Sequence, residues 1–170
     1  MRIIVPMAGI GSRLRPHTLT VPKPLTLIAG KPIVQRLVED IVDVVDQKVQ
    51  EIAFVIGPTF PKDTEEKLMK IAEGLNARGV VSIQNEALGT AHAIQCAKDS
   101  LQGPCVVAFA DTLFQADFSL DEESDGAIWV NGSKQECQHQ THHLAPRIHS
   151  PIKALLYRPP NKNACHPFAS

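Results

Sequence analysis

Short apolar runs alternate along the first 110 residues with longer segments whose apolar positions recur at helical spacing. The runs predict buried strands at residues 2–6, 52–56, 80–83 and 104–109. The segments between them predict helices over about 33–47, after the acidic stretch 63–66, and over 89–101. Strands that alternate with helices predict an α/β fold, a Rossmann-like and mostly parallel sheet with helices on both faces.

Two of the connections carry signals for the start of a helix. Gly30-Lys31-Pro32 predicts a turn. Pro32 also suits the first turn of the helix that follows. Asp63 and Glu66 have the spacing of a capping box, in which the two side chains satisfy free N–H groups at a helix start. Both signals agree with the helical periodicity of the segments that follow them.

Three polar segments follow predicted strands directly. A glycine-containing loop follows the first strand, Gln84 follows the third, and Asp111 follows the fourth. Open α/β sheets bind ligands outside the carboxyl ends of their strands, and right-handed crossovers bring successive loops to that edge. We therefore expect these three segments to converge on one site.

The glycine loop has the composition of a polyphosphate site. Gly9 and Gly11 let backbone N–H groups approach a ligand closely, and a row of such groups forms a concave anion site. Arg13 supplies a planar fork of donors for phosphate oxygens. Lys23 lies between two prolines, which are expected to hold its backbone extended. The loop and its two cations predict a pocket for a polyphosphate.

Other interpretations of the glycines must be weighed. Gly9 and Gly11 alone are equally consistent with a plain strand-to-helix turn. A dinucleotide fingerprint requires a third glycine where Leu14 stands, which disfavours nicotinamide- or flavin-dependent oxidoreduction. The Gly-Lys-Ser/Thr ending of the other common phosphate loop is also absent from this segment.

The order Gly-x-Gly-x-Arg-Leu-x-Pro-x-Thr from Gly9 to Thr18, followed by Pro22-Lys23-Pro24, is much rarer. It resembles the N-terminal signature of the sugar-1-phosphate nucleotidyltransferases, most nearly the glucose-1-phosphate thymidylyltransferase-like members, over residues 1–130. The resemblance implies a fold of the nucleotide-diphospho-sugar transferase type. It also implies nucleotidyl transfer from a nucleoside triphosphate to a sugar 1-phosphate, releasing pyrophosphate. We expect dTTP or UTP rather than GTP as the donor.

The resemblance assigns roles to the residues of the loop. Arg13 would hold the leaving pyrophosphate, and Lys23 would steady the α-phosphate or the incoming phosphate. Backbone N–H groups from Ala8 to Ser12, including those of Gly9 and Gly11, would cradle the triphosphate. The expected mechanism is an in-line displacement in which positioning and charge neutralisation do most of the catalysis.

The resemblance also assigns roles to the later segments. Gln84 and Gly89 would recognise the base, although Gly89 and Thr90 would equally suit an ordinary helix start. Asp111 would hold Mg²⁺, a cation that takes few protein ligands, although a turn or helix cap is the simpler interpretation of this aspartate. His92 is expected to be structural or on the surface rather than catalytic.

Composition fits a soluble globular protein, 44% hydrophobic and 21% charged. No apolar run approaches the length of a membrane span, and the N-terminus has no features of a secretory signal. The four cysteines show no paired spacing, and Cys96 and Cys105 are expected to be buried thiols. We therefore expect a cytoplasmic location, with neither a membrane nor a nucleic-acid partner.

Residues 131–170 change character. The formal charge is −5 over residues 1–130 and +4 over 131–170, and the second segment holds five of the seven histidines. We divide the chain into a nucleotide-binding core, 1–130, and an atypical tail, 131–170, in which only 152–157 suits a short strand or helix. The tail is interpreted in three ways: a frame-shifted or disordered end of a truncated protein, a metal-binding unit, or part of a divergent but functional family member. The candidate metal ligands are Cys137, His139, His142 and His143.

The resemblance implies that the sugar-binding half is missing. Catalytic turnover is then doubtful, and the alternative function is that of a non-catalytic nucleotide-binding fragment. An unfinished sheet would also leave apolar surface uncovered, so we expect weak stability or self-association.

Overall fold

The computed structural model describes residues 1–9, 21–45, 47–110, 126–130 and 152–157, the last two ranges as backbone only. The strands are β1 (Arg2–Pro6), β2 (Leu27–Ile28), β3 (Lys31–Pro32), β4 (Glu51–Ile56), β5 (Arg78–Ile83), β6 (Cys105–Ala108), β7 (Gly126–Val130) and β8 (Ile152–Tyr157). The helices are α1 (Ile33–Val44), α2 (Thr64–Gly74) and α3 (Thr90–Cys96), with 3₁₀ turns at Lys23–Leu25 and Lys98–Ser100.

The main sheet of the described part of the chain has the strand order β5-β4-β1-β6-β8-β7. The first four strands are parallel, and β1 lies between β4 and β6. β8 pairs antiparallel with β6 on one side and with β7 on the other. The predicted mostly parallel sheet is confirmed, and the four strands predicted from apolar runs are its parallel members.

Apolar side chains cover both faces of this sheet. Because successive strand residues point to opposite faces, Ile3 and Val5 of β1 belong to one buried cluster and Ile4 to the other. The first cluster includes the inward faces of α1 and α2, and the second includes Ala93 and Ala97 at α3. The prediction of helices on both faces is therefore confirmed.

Several local predictions were wrong. Asp63 makes no side-chain capping bond and has helical dihedral angles; its carboxylate instead pairs with Lys67 at 2.6 Å. The turn predicted at Gly30-Lys31-Pro32 is present at Ala29–Gly30, and Pro32 directly precedes α1, but the sequence did not predict that Lys31 and Pro32 form β3, paired with β2. α3 ends at Cys96 instead of continuing to residue 101, and the 3₁₀ turn Lys98–Ser100 follows. Cys105 is buried as predicted, whereas Cys96 is only half-buried.

The amino-terminal edge of the sheet is held by a charged trio. Arg2, Glu51 and Arg78 are register partners on β1, β4 and β5. Glu51 is 6% exposed, and its carboxylate accepts from Arg78 at 2.5 and 3.0 Å, while Arg2 lies 3.9 Å away. A buried carboxylate requires such partners. These two arginines therefore stabilise the edge opposite the predicted ligand site.

The backbone of 152–157 forms β8, between β6 and β7. The sequence was consistent with either a strand or a helix over this stretch, and in the structure it is a strand. The division of the chain at residue 130 stays a prediction. The four candidate metal ligands of the tail lie outside the described residues.

Thr64 is a buried residue whose replacement is expected to stabilise the fold. Its side chain is fully buried, and its Oγ1 has no hydrogen-bond partner among the described residues. An unsatisfied buried hydroxyl costs about 1–3 kcal/mol, and valine has nearly the same shape. We expect Thr64→Val to raise the free energy of unfolding by about 1 kcal/mol in urea denaturation. A loss of stability would show that the hydroxyl has a partner.

Candidate functional site at the carboxyl edge of the sheet

The parallel strands end at a common edge, and their connections diverge there. α1 follows β1 and packs on one face, whereas α3, which leads into β6, packs on the other. A crevice is expected where the strand order reverses, here at β1, from which the chain leads to β4 and β5 on one side and returns to β6 on the other. The described segments at this edge are 7–9 after β1, 57–60 after β4, 84–89 after β5 and 109–110 after β6. The sequence prediction of one shared edge therefore holds for the segments that can be described.

Ala8 and Gly9 lie directly beyond β1. The N–H of Met7 donates to Val55 O at 2.9 Å and extends the pairing of β1 with β4 by one residue. Ala8 is half-buried and Gly9 is exposed, and no heavy atom of the described residues lies within 4 Å of the position that a Cβ of Gly9 would take. Gly9 does not adopt a positive φ. Among the described residues, the backbone of Gly9 is therefore open to approach.

Gly57 allows the loops after β1 and β4 to approach each other. It is buried, and a Cβ added to it would lie 3.1 Å from Ala8 O and 3.7 Å from the Phe60 ring. Because the nearest atom is backbone, it cannot move aside as a side chain does. Gly57 therefore fixes how closely the loop that follows β1 lies against its neighbour.

Substitution of Gly57 tests this contact. We expect Gly57→Ala to lower the free energy of unfolding by about 1–2 kcal/mol, because the added methyl group overpacks the Ala8 carbonyl. Gly74→Ala is the matched control, since no heavy atom in the described part of the chain lies within 4 Å of its Cβ position, and it should be neutral or slightly stabilising. Equal effects of the two substitutions in urea denaturation would contradict the role of the close approach.

Lys23 begins a 3₁₀ turn between Pro22 and Pro24. Leu25 N–H donates to Pro22 O at 2.8 Å, and Thr26 N–H donates to Lys23 O at 3.1 Å. The expectation of an extended backbone at Lys23 is therefore wrong, because Lys23 begins the turn; Pro22 before the turn has φ −56° and ψ 140°, and Thr26 after it is extended. The Lys23 side chain is half-buried. Its predicted role at the phosphates stays a prediction.

Gln84 and Gly89 lie together, as the predicted base-recognition pair requires. Gln84 is 7% exposed, and its backbone N–H donates to Ile56 O at 2.8 Å, which continues the pairing of β5 with β4. Its side-chain Nε2 donates to Gly89 O at 3.0 Å. If Gln84 Oε1 took the place of Nε2, it would face the oxygen of Gly89, and two oxygens without a hydrogen cannot form a hydrogen bond. Nε2 must therefore be the atom that faces Gly89 O.

Gly89 begins α3 in a conformation that favours glycine. Its φ is 93° and its ψ is −178°, so a residue with a side chain would be strained there. Its carbonyl also accepts from Ala93 N–H at 3.1 Å, the first bond of the helix. The expected helix start and the expected proximity to Gln84 are thus both present at this glycine.

His92 is a neighbour of Gln84 that sequence reasoning had set aside as structural or on the surface. Its Nδ1 lies 3.1 Å from Gln84 Nε2 and 3.1 Å from Glu86 O. Its Nε2 lies 4.0 Å from Cys96 Sγ, one helical turn further along α3. The contact between Gln84 and His92 depends on the reversal of the chain at Gly89, and helical periodicity alone carries no signal for it.

The remaining predicted site residues cannot be placed. Gly11, Ser12, Arg13 and Asp111 lie outside the described residues, although Ala110, directly before Asp111, is buried at the end of β6. In the parts of the chain that are described, no group of three or more His, Cys, Asp or Glu side chains could hold a metal ion. Magnesium at Asp111 therefore stays a prediction.

Comparison with known proteins adds a family match. The profile of the nucleotidyl transferase family matches residues 3–121. The chain is 36% identical over 117 residues to the bifunctional protein GlmU of Methanococcus vannielii, covering 69% of this chain and 26% of that protein. It is 28% identical over 166 residues to the UTP–glucose-1-phosphate uridylyltransferase of Bacillus subtilis, covering 83% and 56%. The chain thus spans about a quarter of the Methanococcus relative.

Solved structures support the same fold. A nucleoside-diphosphate-sugar pyrophosphorylase from Vibrio cholerae RC9 aligns with a TM-score of 0.67 at 19% identity, covering 92% of this chain and 72% of that one. At that identity the likeness establishes the fold alone. No helix among the described residues has the length and apolar character to cross a membrane.

Proposed function

The chain belongs to the nucleotidyl transferase family, and on that premise we propose that it transfers a nucleotidyl group from a nucleoside triphosphate to a sugar 1-phosphate. The products are a nucleoside-diphosphate sugar and pyrophosphate. The Bacillus subtilis relative is a uridylyltransferase for glucose 1-phosphate, and a Schizosaccharomyces pombe relative, 32% identical over 133 residues, is a mannose-1-phosphate guanyltransferase. These names support the reaction class for this chain and differ in both base and sugar.

One observation carries the proposal: the buried Gln84 amide is held on Gly89 at the carboxyl edge, where the loop after β1 also begins. A fixed amide is suited to the edge of a base, since it offers a donor and an acceptor in one plane. A glycine loop at the same edge is suited to phosphates. The two segments together fit a nucleotide with its base towards β5 and its phosphates towards β1.

The proposed chemistry requires little proton transfer. An oxygen of the sugar 1-phosphate attacks the α-phosphorus, the bond from that phosphorus to the bridging oxygen breaks, and pyrophosphate leaves. A phosphate monoester has a second pKa near ~6 and is therefore already anionic at neutral pH, so a strong general base is not required. Catalysis then depends on alignment and on neutralising the charges of the reacting phosphates.

In this scheme the residues of the N-terminal segment act on the phosphates. Arg13 holds the leaving pyrophosphate through its fork of donors, and Lys23 steadies the α-phosphate or the incoming phosphate. Backbone N–H groups between Ala8 and Ser12 cradle the triphosphate. Asp111 would hold Mg²⁺, which supplies charge neutralisation on the phosphate oxygens when bound. We propose dTTP or UTP as the donor, and we expect a cytoplasmic location and self-association.

The test is the release of pyrophosphate from a nucleoside triphosphate and glucose 1-phosphate in the presence of Mg²⁺. We expect release that depends on the sugar phosphate, with dTTP or UTP preferred over GTP. The full-length Bacillus subtilis relative serves as the control for the assay. If nucleotide binding is measured by calorimetry but no sugar phosphate supports release, the transferase proposal is wrong.

That second outcome defines the alternative function, a nucleotide-binding module without turnover. The chain spans about a quarter of the Methanococcus relatives that it matches, so the activity of those whole proteins is a proposal for this chain. Binding without pyrophosphate release would establish the module, and sugar-dependent release would exclude it.

A further inference from the structure

The guanidinium of Arg36 connects α1 to the hairpin formed by β2 and β3. Its Nε donates to Ile28 O at 2.8 Å, and its Nη2 donates to Ala29 O at 3.0 Å. Ile28 ends β2, and Ala29 begins the turn that leads to β3. A guanidinium is planar and presents its donors as a rigid fork, so one side chain can bind both carbonyls in a fixed geometry. Arg36 therefore holds the end of the hairpin against the helix.

The hairpin has few other attachments among the described residues. β2 and β3 have two residues each, and an isolated two-stranded hairpin is only marginally stable. Leu27 is 64% exposed and Ile28 is 43% exposed, so neither side chain of β2 is anchored in the core. The ammonium of Lys31 pairs with Glu39 at 2.8 Å, but this ion pair is partly exposed and is expected to contribute little. The two carbonyl contacts of Arg36 are therefore the main attachment of the turn to α1.

The turn itself has a conformation that its sequence does not favour. Ala29 has a φ of 47° and Gly30 a φ of 81°, and a two-residue hairpin turn of type I′ requires positive φ at both positions. Alanine is strained in this region, because its Cβ approaches the following carbonyl. Strained backbone persists only where its surroundings hold it, and it is common at functional sites. The bond from Arg36 to Ala29 O is a contact that can hold this turn.

The hairpin is continuous with the 3₁₀ turn that begins at Lys23. Thr26 N–H donates to Lys23 O at 3.1 Å, and Thr26 O accepts from Ile33 N–H at 3.0 Å. Residues 23–26 are therefore tied to β2 by the chain and to the start of α1 by a hydrogen bond. A shift of the hairpin on α1 would shift the backbone of Lys23 with it.

The start of α1 lies towards the carboxyl edge of the main sheet. β1 and β4 are parallel, so the chain between them must return from the carboxyl edge to the amino edge. α1 has 12 residues and is about 18 Å long, which is enough to cover that distance. It ends at Val44, shortly before β4 begins at Glu51. The first turn of α1, and the 3₁₀ turn at Lys23 that is bonded to it, therefore lie on the side of the candidate site.

We propose that Arg36 is a positioning residue: by holding the carbonyls of Ile28 and Ala29, it fixes the hairpin on α1 and keeps Lys23 in place for the reacting phosphates. The inference rests on the proposed function, because it assumes that Lys23 acts on a phosphate. Arg36 itself uses its donors on the protein backbone and does not touch the substrates.

The substitution Arg36→Met tests this role, and Lys31→Met is its matched control. Both remove one positive charge and keep a long apolar side chain, but only the first removes the carbonyl contacts. We expect kcat/KM for pyrophosphate release from UTP and glucose 1-phosphate with Mg²⁺ to fall about 10- to 100-fold in Arg36→Met, as expected for a misplaced catalytic group. Lys31→Met should stay within about two-fold of the wild type. An unchanged rate in Arg36→Met, or an equal loss in both variants, would overturn the proposal.

A second substitution separates positioning from a general loss of structure. Glycine adopts positive φ without strain, so Ala29→Gly should let the turn keep its geometry without the arginine. We expect the double variant Arg36→Met/Ala29→Gly to recover most of the kcat/KM that Arg36→Met loses. If Arg36 acted through its charge alone, glycine at position 29 would restore nothing, and that result would overturn the positioning role.

A third measurement does not depend on catalysis. The amide hydrogen of Thr26, which is bonded to Lys23 O, should exchange with solvent about 10-fold faster in Arg36→Met than in the wild type, and at the wild-type rate in Lys31→Met. Unchanged exchange in Arg36→Met would overturn the inference whatever the protein catalyses. Failure of the wild-type chain to release pyrophosphate would instead overturn the proposed function, and with it the role of Lys23 at the phosphates.

Discussion

Replacement of Arg13 by alanine is expected to abolish the binding of a nucleoside triphosphate as measured by calorimetry. The residue lies four positions beyond Gly9 in the segment that follows β1. A guanidinium forms paired, charge-assisted hydrogen bonds with phosphate oxygens, each worth about 1.5–3 kcal/mol. Loss of two such bonds would weaken binding by about 100-fold or more, beyond the working range of the titration.

The matched control is Lys70→Ala, which removes the same formal charge from α2. Lys70 is exposed, and its ammonium pairs with Glu66 at 2.6 Å, a surface contact of little energetic value. We expect this variant to bind the triphosphate like the wild type. Unchanged binding in Arg13→Ala, or an equal loss in Lys70→Ala, would remove Arg13 from the proposed phosphate site.

Replacement of Phe54 by alanine is expected to lower the free energy of unfolding by about 3–5 kcal/mol. Phe54 is fully buried on β4, between β1 and β5, and belongs to the cluster that packs against α1 and α2. Removing its ring leaves a cavity in the middle of the sheet, where neighbouring strands cannot collapse easily. Urea denaturation of the two proteins measures the difference.

Phe60 provides the comparison for Phe54. It lies beyond the end of β4 and is only half-buried against the same cluster. Alanine at this position should cost clearly less, because solvent and the loop can fill the space. Equal losses for the two variants would contradict the placement of Phe54 at the centre of the core.

The sequence predicted the strands of the sheet because strands that are buried on both faces consist mostly of apolar residues. β1, β4, β5 and β6 are short apolar runs, and α1 repeats apolar residues on one face. Helix ends were less predictable. The spacing of Asp63 and Glu66 fits a capping box, yet Lys67 competes for the Asp63 carboxylate and forms an ion pair with it instead.

Only part of the candidate site could be predicted in the same way. The positions of Gln84 and Gly89 follow from the end of β5, because chain order and strand direction fix which edge a loop reaches. The backbone at Lys23 could not be predicted, since the residue that precedes a proline normally avoids the helical region. The contact of His92 with Gln84 also could not be predicted, because it depends on the reversal of the chain at Gly89.

The account depends most directly on the claim that the carboxyl edge of the parallel strands binds a nucleoside triphosphate. The decisive measurement is an NMR titration of the ¹⁵N-labelled chain with UTP and Mg²⁺. The account predicts shifts of the backbone amides of Gly9, Gly57 and Gly89, with little change at Arg2, Glu51 and Arg78 on the opposite edge. Shifts concentrated at the amino edge, or none at saturating UTP, would contradict it.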